Sequence, residues 1–228
     1  MVPMNLLKPD RVAAYFNTGN WATKAIKEAK LFGDVAIAAT TEADAFMRVP
    51  SAEELNVPSH AAYVHVTSNE TIGGTQWAAY PDTGEVPLVV DMSSDILSRP
   101  VDISKLGLVY AGAQKNLGPS GVTIVIIRED LIGTPAMPVP TMLRYSTHAS
   151  NDSLYNTPPS FAIYMVNLVL KWIAGKGGAA AIARINEEKA ALLYDAIDGS
   201  GGFYRGCARP DSRSLMNVTF RLRSEELE

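Results

Sequence analysis

The run Val122-Thr-Ile-Val-Ile-Ile127 is the most β-branched stretch of the chain, and it closes a series of short apolar runs: Val35 to Ala39, Tyr63 to Val66, Leu88 to Val90 and Leu108 to Tyr110. β-Branched side chains are stiff already and pack well on a pleated surface, so each run predicts a strand. None alternates strictly between apolar and polar residues, which predicts strands covered on both faces. Stretches of helical period accompany them. Thr23 to Leu31 sets Ala25, Ile26 and Ala29 among polar partners, and Ser160 to Ala174 reads as a buried helix. Ala179 to Ile197 places Ile182, Ile185, Ala190, Leu193 and Ala196 on related faces. Covered strands interleaved with helices predict an α/β fold: a mostly parallel central sheet flanked by helices.

Glycine and proline mark the breaks. Gly133 to Pro140 holds three prolines and one glycine and predicts a loop, as does Thr147 to Pro159, whose closing prolines suit the first turn of the next helix. Gly175, Gly177 and Gly178 end that helix, and Gly199 to Gly202 ends the one after it. Asn217 to Leu222 predicts a strand for which no partner is visible in the remaining chain.

Several function classes fall away. With 20 Lys+Arg against 24 Asp+Glu the formal charge is −4, so nothing draws the chain to nucleic acid or to an anionic membrane. The apolar stretch from Phe161 to Ile173 is interrupted by Asn167 and Lys171 and is too short to span a bilayer. The start, Met1 to Asp10, lacks the pattern of a secretory signal. Cys207 is the single cysteine, and His60, His65 and His148 lack partners at ligand spacing, so no disulfide and no metal site are expected. A reducing, cytoplasmic setting is expected. Gly175-Lys-Gly-Gly-Ala-Ala180 formally fits a dinucleotide fingerprint but follows a helix, where the fingerprint requires a strand. No G-x-S-x-G elbow is present.

Chemistry concentrates in Val109-Tyr-Ala-Gly-Ala-Gln114-Lys115-Asn-Leu-Gly118, where a lysine follows a strand among small residues that permit close approach to the backbone. An ordinary surface lysine is the alternative. Upstream, Leu88-Val-Val-Asp91 is an apolar strand ending in a carboxylate, which either points into a ligand site at the sheet's carboxyl edge or caps the following turn. An Asp of this kind together with a glycine-flanked Lys is what pyridoxal phosphate enzymes use.

The segments Asp91-Met-Ser-Ser-Asp95, Ala111-Gly-Ala-Gln-Lys115-Asn-Leu-Gly-Pro-Ser-Gly121, His148-Ala-Ser-Asn-Asp-Ser-Leu-Tyr-Asn156-Thr-Pro-Pro159 and Phe161-Ala-Ile-Tyr164 closely resemble the phosphoserine aminotransferases, class-V enzymes of fold type I that use pyridoxal 5'-phosphate. The similarity runs from Gly19-Asn-Trp21 to Asn217-Val-Thr-Phe-Arg221. The resemblance implies that Lys115 is the catalytic lysine, holding the cofactor as a Schiff base and then moving the proton. It implies that Asp91 pairs with the pyridine nitrogen, Trp21 stacks on the ring, Thr71 lies near the ring oxygen and Gln114 holds the phosphate. Asn156 and Thr157 are implied to reach the cofactor phosphate of a neighbouring subunit, making a homodimer with shared sites.

The reaction so implied passes the amino group of L-glutamate to 3-phosphohydroxypyruvate, giving O-phospho-L-serine and 2-oxoglutarate in serine and possibly pyridoxine biosynthesis. Another fold type I enzyme, or a remnant without catalysis, is the alternative. Members of the family extend further at both ends, so the expectation is a truncated form: residues 1–174 a partial cofactor domain, and 175–228 a linking helix and the start of a small α+β domain.

Overall fold

The computed structural model describes residues 1–227; Glu228, the last residue of the expected second segment, lies outside the described residues. In chain order the elements are α1 (Val2–Leu6), β1 (Val12–Asn17), α2 (Asn20–Ala29), β2 (Val35–Thr40), β3 (Ala61–Thr67), β4 (Asn69–Glu70), β5 (Thr75–Gln76), β6 (Leu88–Asp91), β7 (Leu108–Gly112), β8 (Thr123–Ile127), α3 (Tyr145–Ala149), α4 (Ser160–Gly175), α5 (Gly178–Asp198), β9 (Tyr204–Gly206) and β10 (Phe220–Leu222), with short 3-10 turns between.

Six strands form the central sheet in the order β2-β1-β3-β6-β7-β8. All neighbours run parallel except β7 and β8, which are antiparallel. The sheet is an α/β sheet of the expected kind. Its covered faces follow from the two-residue side-chain period of a strand. Ala14, Phe16, Val64, Val66, Val90 and Val109 point to one face with Trp77 and Leu117, while Ala13, Tyr15, Tyr63, Val89 and Leu108 point to the other with Val2, Leu7, Ile26 and Ala29. The helix α2 seats on that second face because Ala22, Ile26 and Ala29 recur at i, i+4 and i+7, and its lysines and Glu28 stay in water.

The chain leaves β1 to form β2 on one side and returns to form β3 on the other. Such a reversal of strand order opens a crevice at the carboxyl ends of the strands, where α/β sheets bind ligands.

Five differences from the sequence reading stand out. The strand β1 was not anticipated, although it lies inside the sheet. In place of a partnerless strand from Asn217 to Leu222, β10 is confined to Phe220–Leu222 and pairs antiparallel with β9. Part of the expected loop from Thr147 to Pro159 is helical, since α3 runs to Ala149. The buried face of α5 is Ile182, Asn186, Ala190 and Ile197, whereas Ile185 and Leu193 are exposed. Asn186 belongs to that face because its amide donates to the Ser98 carbonyl at 3.1 Å. Finally, α4 buries only Val166 and Ile173, and Phe161, Tyr164, Leu168 and Trp172 form an exposed apolar stripe. On its covered face Val166 packs over Gly118 and the helix also contacts α5, while the stripe lies on the other side.

Lys176 and Gly177 link α4 directly to α5, and Gly177 sits at φ 101°, a left-handed conformation suited to glycine. The glycines at 175–178 are therefore a helix connection and not a nucleotide loop. No helix among the described residues is long and apolar enough to cross a membrane.

Candidate active site

The carboxyl ends of β1, β3, β6 and β7 deliver the chemistry-bearing residues to one edge of the sheet. After β1, Gly19 leads into α2, whose second residue is Trp21. After β3, the β4–β5 hairpin carries Glu70 and Thr71. The strand β6 ends in Asp91, paired in register with Thr67 on one side and Tyr110 on the other. After β7 the chain turns through Gln114 and Lys115 before β8.

Three of the expected residues meet directly. The Lys115 amine donates a hydrogen bond of 2.6 Å to the Thr71 hydroxyl and stands 4.6 Å from the centre of the Trp21 ring. Lys24 places its amine at the same 4.6 Å distance from that ring. Proximity to Trp21 alone therefore does not distinguish the two lysines; the Thr71 hydrogen bond belongs to Lys115. Lys115 and Gln114 are exposed, and Trp21, Thr71 and Asp91 are partly buried. Gln114 folds back over Gly112, where a Cβ would lie 2.5 Å from its Oε1. The absence of a side chain at Gly112 makes that approach possible.

Asp91 is held by its own turn. Its Oδ1 accepts the Ser93 N–H at 2.8 Å, and Ser93 Oγ accepts the Gly112 N–H at 3.1 Å, tying the ends of β6 and β7 together. Beneath it lies a buried polar ladder absent from the sequence reading. His65 is fully buried, with Nε2 3.0 Å from the Tyr110 hydroxyl and Tyr15 stacked on its ring at 4.8 Å. Burial pushes the His65 imidazole down to about 4, against the pull of the Asp91 charge, so it is neutral at physiological pH. Burial and then the Asp91 carboxylate push the Tyr110 phenol well above its ordinary value.

Glu70 was also missed. It is 1% exposed, and its two carboxylate oxygens accept the backbone N–H groups of Trp21 and Ala22, each at 2.9 Å. Burial raises its carboxyl, and those N–H bonds oppose the shift. Asp95, likewise raised by burial, accepts hydrogen bonds from Ser68 and from Gln76 at the base of the same hairpin.

Among the described residues no hydrogen bond ties Asn156 or Thr157 to this edge. Both are exposed in the irregular segment before α4. A cavity of about 600 Å³ lies elsewhere, at the amino ends of β6 and β7, between the 78–87 loop and Arg99, Lys105 and Arg128. None of the expected site residues lines it.

The sheet is parallel with one antiparallel neighbour, a lysine lies between β7 and β8, and a carboxylate ends β6. Residues 1–227 match the aminotransferase class-V family profile, and the chain belongs to that family. It is 63% identical over its whole length to the phosphoserine aminotransferase of Niallia circulans, and 54% identical to that of Bacillus subtilis strain 168. The chain spans 63% of the length of each of these curated relatives. The solved phosphoserine aminotransferase from Bacillus circulans subsp. alkalophilus superposes with a TM-score of 0.97 at 62% identity, over 100% of this chain and 63% of that one. The PLP-bound phosphoserine aminotransferase from Trichomonas vaginalis gives 0.87 at 37% identity, over 97% of this chain and 62% of that one.

Proposed function

We propose that the protein is a pyridoxal 5'-phosphate-dependent aminotransferase of the phosphoserine type, passing the amino group of L-glutamate to 3-phosphohydroxypyruvate to give O-phospho-L-serine and 2-oxoglutarate. The observation that carries this reading is the Lys115 amine hydrogen-bonded to Thr71 and facing Trp21, after β7 at the carboxyl edge of a sheet in which the neighbouring strand β6 ends in Asp91. The relatives at 54% to 63% identity support the choice of substrates.

The residues fit the cofactor by their chemistry. Lys115 offers the primary amine, Trp21 a flat apolar plate, Asp91 an anionic partner for a ring nitrogen, and Thr71 and Gln114 neutral hydrogen-bonding groups. When bound, pyridoxal phosphate supplies the aldehyde and the electron-withdrawing ring that transamination needs. The chain's own part is orientation and proton transfer. Lys115, on a long flexible stem, is the base that removes the proton from the substrate's Cα and the acid that returns one. Thr71 restrains that amine on one side. Trp21 covers one face of the site against water, and Asp91 offers its carboxylate to the ring nitrogen.

Asn156 and Thr157 are assigned to the phosphate of a second subunit's cofactor. Their exposure supports this, as does the stripe of Phe161, Tyr164, Leu168 and Trp172 that follows, which is more apolar surface than a helix face usually leaves in water. The working unit is then a homodimer with shared sites in the cytoplasm, residues 1–174 forming part of the cofactor domain and residues 175–228 a linking helix and the start of the smaller one.

The test is an assay of purified protein with pyridoxal phosphate, glutamate and 3-phosphohydroxypyruvate, with sedimentation under the same conditions. The reading expects phosphoserine and 2-oxoglutarate in equal amounts from a dimer. A different amino acceptor winning a substrate panel would overturn it. Thr71→Val keeps the shape but removes the hydroxyl, and is expected to lower kcat by about 5-fold, the worth of one ordinary hydrogen bond. An unchanged kcat would remove Thr71 from the proposed machinery.

A further inference from the structure

The α2 helix has an unusual cap. Its N-cap residue is Gly19, which brings no side chain, and the N–H groups that a local serine or aspartate would accept are taken by Glu70 from a hairpin far along the chain. Burying a carboxylate is costly even when it is hydrogen-bonded, so capping alone does not account for it. Gly19 is shaped around this group: a Cβ there would lie 2.6 Å from Glu70 Cδ and 2.8 Å from Oε2. What a remote cap fixes, and a local one does not, is where the helix end stands relative to the hairpin. That hairpin also carries Thr71, the residue after Glu70, which holds the Lys115 amine.

We propose that Glu70 is a positioning residue for the site: its buried carboxylate fastens the backbone of Trp21 and Ala22 to the β4–β5 hairpin, setting the Trp21 ring against the Lys115 amine that the adjacent Thr71 restrains. The positive end of the helix and two N–H donors compensate the negative charge where it sits. Two successive residues thus hold the two walls of one site in register. The inference rests on the proposed function only for what the site holds; the clamp itself is a matter of the chain's own contacts.

The experiment uses Glu70→Gln, which keeps the side chain's shape but turns an NH2 toward one of the two N–H donors. Trp77→Phe and Trp172→Phe are introduced first so that Trp21 is the sole tryptophan. Two quantities are read: acrylamide quenching of Trp21 without cofactor, and the dissociation constant and visible circular dichroism with pyridoxal phosphate. Losing one charge-assisted hydrogen bond is expected to raise the quenching constant about 2-fold, raise Kd about 10-fold and weaken the dichroism. Gly19→Ala, which pushes on the same carboxylate from the other side, is expected to act in the same direction, and the double variant to fall short of the sum. A lowered melting temperature with quenching, Kd and dichroism all unchanged would reduce Glu70 to a structural cap and overturn the proposal. If the protein with all three tryptophans in place binds no pyridoxal phosphate, the functional reading fails, and the quenching comparison still decides the clamp. Should Glu70→Gln not fold, Gly19→Ala alone carries the decision by the same readings.

Discussion

Lys115→Ala is expected to eliminate the visible absorbance of lysine-bound pyridoxal and to lower kcat for phosphoserine formation by on the order of 1,000-fold or more. On the proposed function the size follows from two losses at one atom: the amine that would attach the cofactor and the base that would move the Cα proton. The fold should survive. Lys115 is exposed, its amine donates to Thr71, and the core residues Ala113 and Leu117 on either side are untouched. A change of this kind costs no more than about 0.5 kcal/mol of stability. Lys24→Ala is the matched control, because its amine lies as close to Trp21 as that of Lys115 but has no bond to Thr71. It should retain kcat within about 2-fold. Comparable losses from the two variants would mean that positive charge near the indole, and not the Lys115 amine, is what the reaction uses.

The second large effect is on stability in acid, and it originates in His65. In the unfolded chain the imidazole titrates near its ordinary value of 6.5, while in the folded chain burial holds it to about 4. The folded state therefore binds the proton less readily. Stability is fully present above pH 6.5 and is lost as pH falls through that value toward 4. Over the whole window the loss from this one group reaches about 3 kcal/mol. Its surroundings are Tyr15 stacked on the ring, the Tyr110 hydroxyl on Nε2, and the Asp91 charge, which favours the protonated form but does not outweigh burial.

His65→Gln removes the titration and leaves a side chain able to reach Tyr110. Urea unfolding of both proteins from neutral pH to about pH 4.5 should show the parent losing stability to the variant by on the order of 2 kcal/mol. The comparison cancels what the carboxyls do. Glu54, held at about 2 mainly by its hydrogen bond from Arg48, loses its contribution at lower pH in both proteins. Asp95 and Glu70, raised by burial, shift the balance the other way in both. Parallel pH curves for the two proteins would show that the His65 site opens to water on protonation.

Where residues are covered by neighbours of their own kind, the sequence is easy to read. The runs that became β2, β3, β6, β7 and β8 are apolar and bounded by breakers, and the lysine between β7 and β8 stands out against its glycines. The strand β1 did not stand out. Val12-Ala-Ala-Tyr-Phe-Asn17 has two alanines, which are poor strand formers, and its burial is conferred by β2 and β3 pairing on its two edges. Likewise β9 is three residues, Tyr204-Arg-Gly206, and becomes a strand only because β10 lies against it.

The same distinction divides the site. Lys115 and Asp91 are legible because each sits at a strand end whose local pattern is clear. Glu70 and His65 look like ordinary polar residues of a loop and a strand. Their roles depend on contacts with Trp21, Ala22 and Tyr110 that are 49, 48 and 45 residues distant. Burial of a carboxylate or an imidazole has no signature in spacing; a polar residue inside an apolar run, as His65 is between Val64 and Val66, is the nearest signal there was. The exposed stripe of α4 was misread for a related reason. A nearly continuous apolar helix has no polar face to tell a core contact from a surface awaiting a partner.

The central claim, that Lys115 is the amine this fold presents to pyridoxal phosphate, is tested most directly by trapping. The purified protein is mixed with pyridoxal phosphate, reduced with borohydride, digested and sequenced by mass spectrometry. The account predicts a phosphopyridoxyl group on Lys115 and unmodified Lys24. Label spread over surface lysines in proportion to their exposure, or found on Lys24 with Lys115 bare, would contradict it.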